Sequence, residues 1–172
     1  MRGGNVLFFL DALQIDMDSL GSNGAFAFPI DTGLDDLLFR YGLRVNPTLI
    51  QSVESGQYPI VVGNLGAQPQ VRLLPWPFFP IANNYASHPI VRNLDAVYFR
   101  FVNSIDTIAA PGVTKTPLVF TSQYSRVLST PIVVDLNELR QAPEPERYQA
   151  GSQAIAYLLE GKFTSVFRNR IL

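Results

Sequence analysis

His88 is the single imidazole of this chain, and there is no cysteine. The missing thiols exclude cysteine nucleophiles, thiolate metal sites and disulfides, whichever redox compartment the chain occupies. A Ser-His-Asp relay or a histidine-based metal site would have to pass through His88 alone. Pro89 follows it and biases its backbone toward an extended conformation. His88 therefore reads as a structural group capping the turn in "PIVRNL" rather than as a general base. Hydroxyl chemistry would fall to Ser122 or Ser125 in "TSQYSRV", which follows an expected strand, since ligands often sit where strands end. No G-x-S-x-G elbow is present, and a hydroxyl without a neighbouring base more often ties down a loop.

Other groups give weaker signals. "DMDSLGSNG" begins as a calcium loop would, with Asp16 and Asp18, but Leu20 takes a ligand position and the pattern fails. "GNLGAQ" lacks the lysine and the glycine spacing of a phosphate loop. Asp11, Asp106, Glu138 and Glu160 are dispersed, so a hydrolytic carboxylate pair has no support from spacing. Trp76, Phe78 and Phe79 could form an aromatic shelf for a sugar or peptide. The plainer reading is a hydrophobic plug over a sheet edge. No cofactor or metal site is expected.

These groups need elements to hold them. "VLFFL" at 6–10 is a short apolar run that reads as a strand covered on both faces, as in parallel sheets. A long connection, "DALQIDMDSLGSNGAFAFPIDTG", follows it. Leu34, Leu37, Leu38 and Tyr41 share one face of a helix. Thr32 and Asp35 open that helix, Arg40 sits in its last turn and Gly42 closes it. Thr48 to Val53 and Tyr58 to Val62 read as a hairpin turning at "ESGQ". Val71 to Leu74 is a short strand that runs into Pro75, Pro77 and Pro80. Proline donates no backbone hydrogen bond, so an ordered, unpaired crossing is expected there. Strands are also expected at "AVYFRFV" (96–102), "PLVF" (117–120), "PIVV" (131–134) and, bounded by glycines, "AIAYLLE". "DLNELRQ" provides at most two helical turns, and "APEPER" is a stiff exposed connection.

Composition bounds the rest. At 172 residues, with 47% hydrophobic and 16% charged, the chain suits a single domain over 1–172 with a real core. A net charge of −1 excludes an ordinary nucleic-acid surface. No run approaches the length of a membrane span, and no signal-peptide pattern opens the chain. "MRGG" leads directly into the first apolar run, as in a piece cut from a longer protein.

One resemblance covers almost the whole chain. In order, "GGNVLFFLDAL", "LDDLLFRYGLRVNPTLIQ", "PIVVGNLGAQPQVRLLPWPFFP", "HPIVRNLDAVYFRFVNSIDTI", "TPLVFTSQYSRV" and "AYLLEGKFTSVFRNRI" resemble the auxiliary component of gliding-motility ABC transporters, the GldG family. The resemblance implies an excised soluble domain on the periplasmic side of the cell inner membrane, anchored by helices this chain lacks. It implies a three-layer α/β fold with a mostly parallel sheet, similar to class I glutamine amidotransferases and flavodoxin. The amidotransferase nucleophile is a cysteine, so that activity does not carry over. Expected partners are the membrane and ATPase subunits of the transporter, with envelope proteins or a small ligand as further candidates.

The reading that follows is a non-catalytic, substrate-binding-like auxiliary domain. Asp11, Trp76, Phe79, His88, Tyr124 and Arg126 are its candidate ligand- or partner-binding residues. The alternatives are a sugar- or peptide-binding module and, last, a serine or carboxylate hydrolase.

Overall fold

A computed structural model describes residues 4–21 and 24–168. Its strands, in chain order, are β1 (Leu13–Ile15), β2 (Ala25–Pro29), β3 (Leu43–Val45), β4 (Thr48–Ser52), β5 (Ser55–Leu65), β6 (Gln68–Ala82), β7 (Asn84–Tyr85), β8 (Val97–Tyr98), β9 (Ile105–Thr107), β10 (Val113–Phe120), β11 (Ser125–Ser129), β12 (Ile132–Val134) and β13 (Ala154–Gly161). One α-helix, α1 (Asp35–Tyr41), and several 3₁₀ turns complete the described residues.

Every pairing is antiparallel: β1-β2-β12, β13-β10-β7, β11-β4, β3-β9 and β5-β6-β8. This overturns the expected three-layer, mostly parallel α/β fold. A parallel sheet needs crossover connections, usually helical, between its strands. Here the seven residues of α1 are the only α-helix among the described residues. The short apolar runs behind the α/β expectation fit buried antiparallel strands equally well. The first of them is not a strand at all. Val6, Leu7 and Phe9 form no ladder and are 77%, 77% and 89% exposed.

α1 forms where the spacing predicts it. Leu38 is buried, Leu34, Leu37 and Tyr41 are half-buried, and Thr32 Oγ1 accepts from the Leu34 N–H at 3.3 Å. Gly42 closes the helix at φ 92°, a left-handed conformation that costs glycine little. A Cβ there would also meet the Ile108 carbonyl at 2.9 Å. β13 takes the strand form expected of it, and the "DLNELRQ" segment makes one 3₁₀ turn at Asn137–Arg140.

The hairpin differs from expectation. β4 pairs with β11, and β5 turns at Gly66 (φ 64°) to pair with β6. Val53 and Glu54 therefore pass between strands of different sheets, Ser55 to Gln57 of the "ESGQ" segment already belong to β5, and the "LGAQ" segment supplies the hairpin turn.

The proline-rich segment is not an unpaired crossing either, because it forms the inner half of β6. Between Pro75 (opposite Gln57) and Pro80 (opposite Ser55) the register jumps, so Trp76 to Phe79 bulge away from β5. On their other side, the Phe78 and Pro80 carbonyls accept from the N–H groups of Phe101 and Phe99, both at 2.9 Å. These residues serve as acceptors, so the missing proline N–H interrupts little.

The bulge drives its aromatic residues inward. Trp76, Phe78 and Phe79 join Leu13, Ala27, Leu49, Ile60, Leu128, Val134 and Leu139 in the main core. Ring centroids lie 4.7 Å (Trp76–Phe79), 4.9 Å (Trp76–Tyr58) and 5.8 Å (Trp76–Phe101) apart, mostly edge to face. Ala82, Val91, Leu118 and Val119 form a second, smaller core.

Candidate functional site

The residues that could do chemistry are occupied in holding backbone. His88 caps the 3₁₀ turn Pro89–Val91, with Nδ1 accepting from the Ile90 N–H at 3.2 Å. That is the structural role its position before Pro89 predicts. Ser125 is fully buried, and its hydroxyl donates to the Ser122 carbonyl at 2.7 Å and shares a hydrogen bond with Thr121 Oγ1 at 2.8 Å. Ser122 Oγ accepts from the Tyr124 N–H at 3.0 Å. Both serines thus fasten the bend before β11.

The remaining predicted residues are scattered in environment. Asp11 is exposed, and the Ala12 N–H beside it donates to Asn103 Oδ1 at 2.9 Å. Trp76 and Phe79 are 0% and 1% exposed, which leaves no remainder of either ring to offer a ligand. Tyr124 is 52% exposed. Asp16 caps its own turn, accepting from the Asp18 N–H and the Ser19 hydroxyl, while Ser22 and Asn23 of the "DMDSLGSNG" segment lie outside the described residues. Among the described residues no group of three or more His, Asp or Glu side chains could hold a metal ion.

Arg126 does reach a recess. The antiparallel register of β4 and β11 sets it directly opposite Gln51. Glu138 arrives from the 3₁₀ turn Asn137–Arg140, which Asp135 Oδ1 starts by accepting from the Asn137 N–H at 2.8 Å and which buried Leu139 anchors in the core. Gln51 Nε2 then donates to Glu138 Oε2 at 2.5 Å. Pro77, Arg126, Glu138, Glu144, Arg147 and Tyr148 line a crevice beside this bond.

Electrostatics inside the crevice are mixed. Burial pushes the Glu138 carboxyl above its ordinary range, while the Gln51 hydrogen bond and the positive charges of Arg126 and Arg147 oppose that shift. Burial also raises the Tyr148 phenol, helped by the negative charge of Glu138. Arg147 pairs with Glu144 at 2.6 Å on the rim, where both side chains are more than half exposed. Three fully enclosed polar atoms at this junction of β4 and β6 lack a partner: Gln51 Oε1, Ser52 Oγ and Trp76 Nε1.

The space is about 30 Å³. A single water needs roughly 10–15 Å³ and a drug-sized ligand hundreds. The crevice thus holds a water or two, or the tip of one polar group, but not a sugar ring. A carboxyl, a guanidinium and a phenol at one mouth can donate to and accept from an amide or carboxylate. Among the described residues that line it there is no serine, threonine or lysine. A second hollow of about 150 Å³ lies between β2, α1 and β3, walled mainly by Leu10, Ala12, Pro29, Ile30, Leu38 and Val45.

Sequence reasoning reached Arg126 and noted Glu138, but missed Gln51 and Tyr148. No local signal marks them, because the β4–β11 pairing and the turn after β12 bring together residues 87 positions apart.

Among the described residues no helix is long and apolar enough to cross a membrane. Neither a curated protein nor a solved structure matches the chain. A family described as an ABC-type uncharacterized transport system matches residues 1–172. Membership implies association with transporter subunits and, through them, with a membrane. The chain belongs to that family of auxiliary components of an ABC-type transport system.

Proposed function

We propose that the chain is a non-catalytic binding domain of a gliding-motility-type ABC transporter, acting by contact with other transporter subunits on the periplasmic side of the inner membrane. The gliding-motility assignment and the periplasmic side rest on the segment-by-segment resemblance. The non-catalytic reading rests on one observation: the His88 imidazole and the Ser122 and Ser125 hydroxyls are each committed to a backbone group. Neither hydroxyl has an imidazole or a carboxylate among these hydrogen-bond partners, so no base is in place to activate it. The crevice at Glu138 is the contact point this reading favours, because it offers donors and acceptors to one protruding polar group without room for a whole substrate.

Co-purification tests the reading. The intact protein, extracted in mild detergent, is expected to carry the membrane and ATPase subunits with it. Arg126→Glu is expected to lower their recovery several-fold while leaving the melting temperature within a few degrees of the unmodified protein. Absence of both subunits from the unmodified preparation would overturn the reading.

A further inference from the structure

The hollow of about 150 Å³ between β2, α1 and β3 plays no part in the binding role proposed above. Separate stretches of chain wall it, and two of them are tied together. The Ile30 N–H donates to the Ala12 carbonyl at 3.0 Å, and the Ala12 N–H donates to Asn103 Oδ1 at 2.9 Å. Ala12 and Leu38 are 8% and 7% exposed, so the floor is apolar and already formed. A dry apolar cavity of about 150 Å³ accepts a benzene ring. Water in such a space finds few partners, and an apolar group displaces it with a gain in affinity.

The lip of the hollow chooses a charge. Among the described residues that line it only Thr32 and Asp35 are polar, and none is basic. Thr32 Oγ1 accepts from the Leu34 N–H, whereas the Asp35 carboxylate makes no hydrogen bond or ion pair with a described residue. Asp35 and Leu38 stand one turn apart on the same face of α1, which sets a carboxylate above an apolar floor. The surrounding sequence has one sign of charge: from Gly4 to Phe39 it contains six aspartates and no lysine or arginine. An anion is repelled from such a mouth and a cation is attracted.

The rim also selects against a polypeptide. Pro29 and Pro47 have no backbone N–H, and the Ile30 N–H is already given to Ala12. An extended segment laid across the mouth would find few of the main-chain donors that hold a bound peptide. The hollow therefore suits a compact molecule that ends inside it.

We propose that this hollow binds a small organic cation, with a single-ring-sized apolar body seated on Ala12, Leu38 and Val45 and its ammonium against the Asp35 carboxylate. Burial of the body drives binding, and the carboxylate sets the preferred charge. Asp35 is exposed, so water and salt screen it, and a neutral isostere binds only about three- to fivefold more weakly. Affinity is modest, because so small a body buries little surface. This goes beyond the transporter-contact reading and does not rest on it.

Amide chemical-shift titrations of the chain with benzylamine test the proposal. Benzylamine is expected to shift the amides around Leu38 and Val45, binding about three- to fivefold more tightly than benzyl alcohol. Benzoate is expected to bind more weakly than either, and methylamine, a cation with no ring, to leave these amides unmoved. Asp35→Asn is expected to bring benzylamine down to the affinity of benzyl alcohol with an unchanged thermal melt. Ile30→Trp, at a position 41% exposed where a larger ring has room, is expected to fill the mouth and abolish binding of both. The proposal is overturned if benzylamine moves no amide of the hollow, or if Asp35→Asn leaves its preference over benzyl alcohol intact. Binding that survives Ile30→Trp in a chain that melts normally overturns it as well. So does a tripeptide amide headed by phenylalanine that binds more than about tenfold tighter than benzylamine, by giving the hollow to a chain terminus.

Discussion

The two halves of β6 are covalently one strand and physically opposite. From Trp76 to Pro80 every residue is buried, whereas from Gln68 to Leu73 every residue is exposed. Both halves carry large apolar side chains and both contain proline. Pairing makes the difference. The inner half bulges off β5 and lends its carbonyls to the segment at Phe99 and Phe101, which seats its rings in the core. The outer half has only β5 beside it and nothing to cover its far face. Hydrophobicity says that a residue is better covered; topology decides whether this chain supplies the cover.

The contrast breaks most readily at its buried end. Trp76→Ala removes a side chain with no exposure and close ring contacts to Tyr58, Phe78, Phe79 and Phe101. The expected cost is about 3–5 kcal/mol, read as a lower urea midpoint at nearly constant m-value. A loss under about 1 kcal/mol would mean that the Trp76 cavity collapses freely.

A smaller effect belongs to Glu138, at the rim of the buried half where Pro77 lines the crevice. Its carboxyl is raised above 4.5 in the folded chain. The folded state therefore keeps its proton to higher pH than the unfolded state does, and stability falls as pH rises from 4.5 through the raised value. Glu138→Gln keeps an acceptor for Gln51 and removes this titration. Melting temperatures across that window are expected to decline less in Glu138→Gln than in the unmodified protein. Parallel curves would show that Glu138 is solvated as freely when folded as when unfolded.

The smallest effect is expected at the exposed end. Leu73→Ser, at 59% exposure, is expected to change stability by less than about 0.5 kcal/mol in the same urea unfolding. A change as large as that of Trp76→Ala would erase the distinction between the halves.

Some of this was legible in the sequence. α1 announced itself through the spacing of its leucines and the glycine after it, and His88 through the proline that follows. Both signals are local. The burial of Trp76, Phe78 and Phe79 is legible too, since large rings seldom find a better place than a core, but they lie within β6 rather than over a sheet edge. What misled was reading proline as an end to pairing, when a residue that only accepts loses little by having no N–H. Val6 to Leu10 misled for a related reason: an apolar run carries no label for who covers it. The parallel sheet came from a family likeness and from such runs, and neither records strand direction. The crevice was out of reach, because Gln51, Arg126 and Glu138 are neighbours only after the sheets have formed.

That dependence on remote partners bears on how the chain reaches this shape. β5 and β6 are adjacent along the backbone and can zip together from their turn within microseconds, as isolated hairpins do. β4 must wait for β11, β2 for β12 and β3 for β9, each across a long intervening stretch. Closing those loops spends entropy before any ladder forms, which puts folding in the slow, millisecond-to-second class. During that interval an arm uncharged from Ser55 to Val71 is already built and uncovered, and crowding of refolding chains would therefore be felt there first.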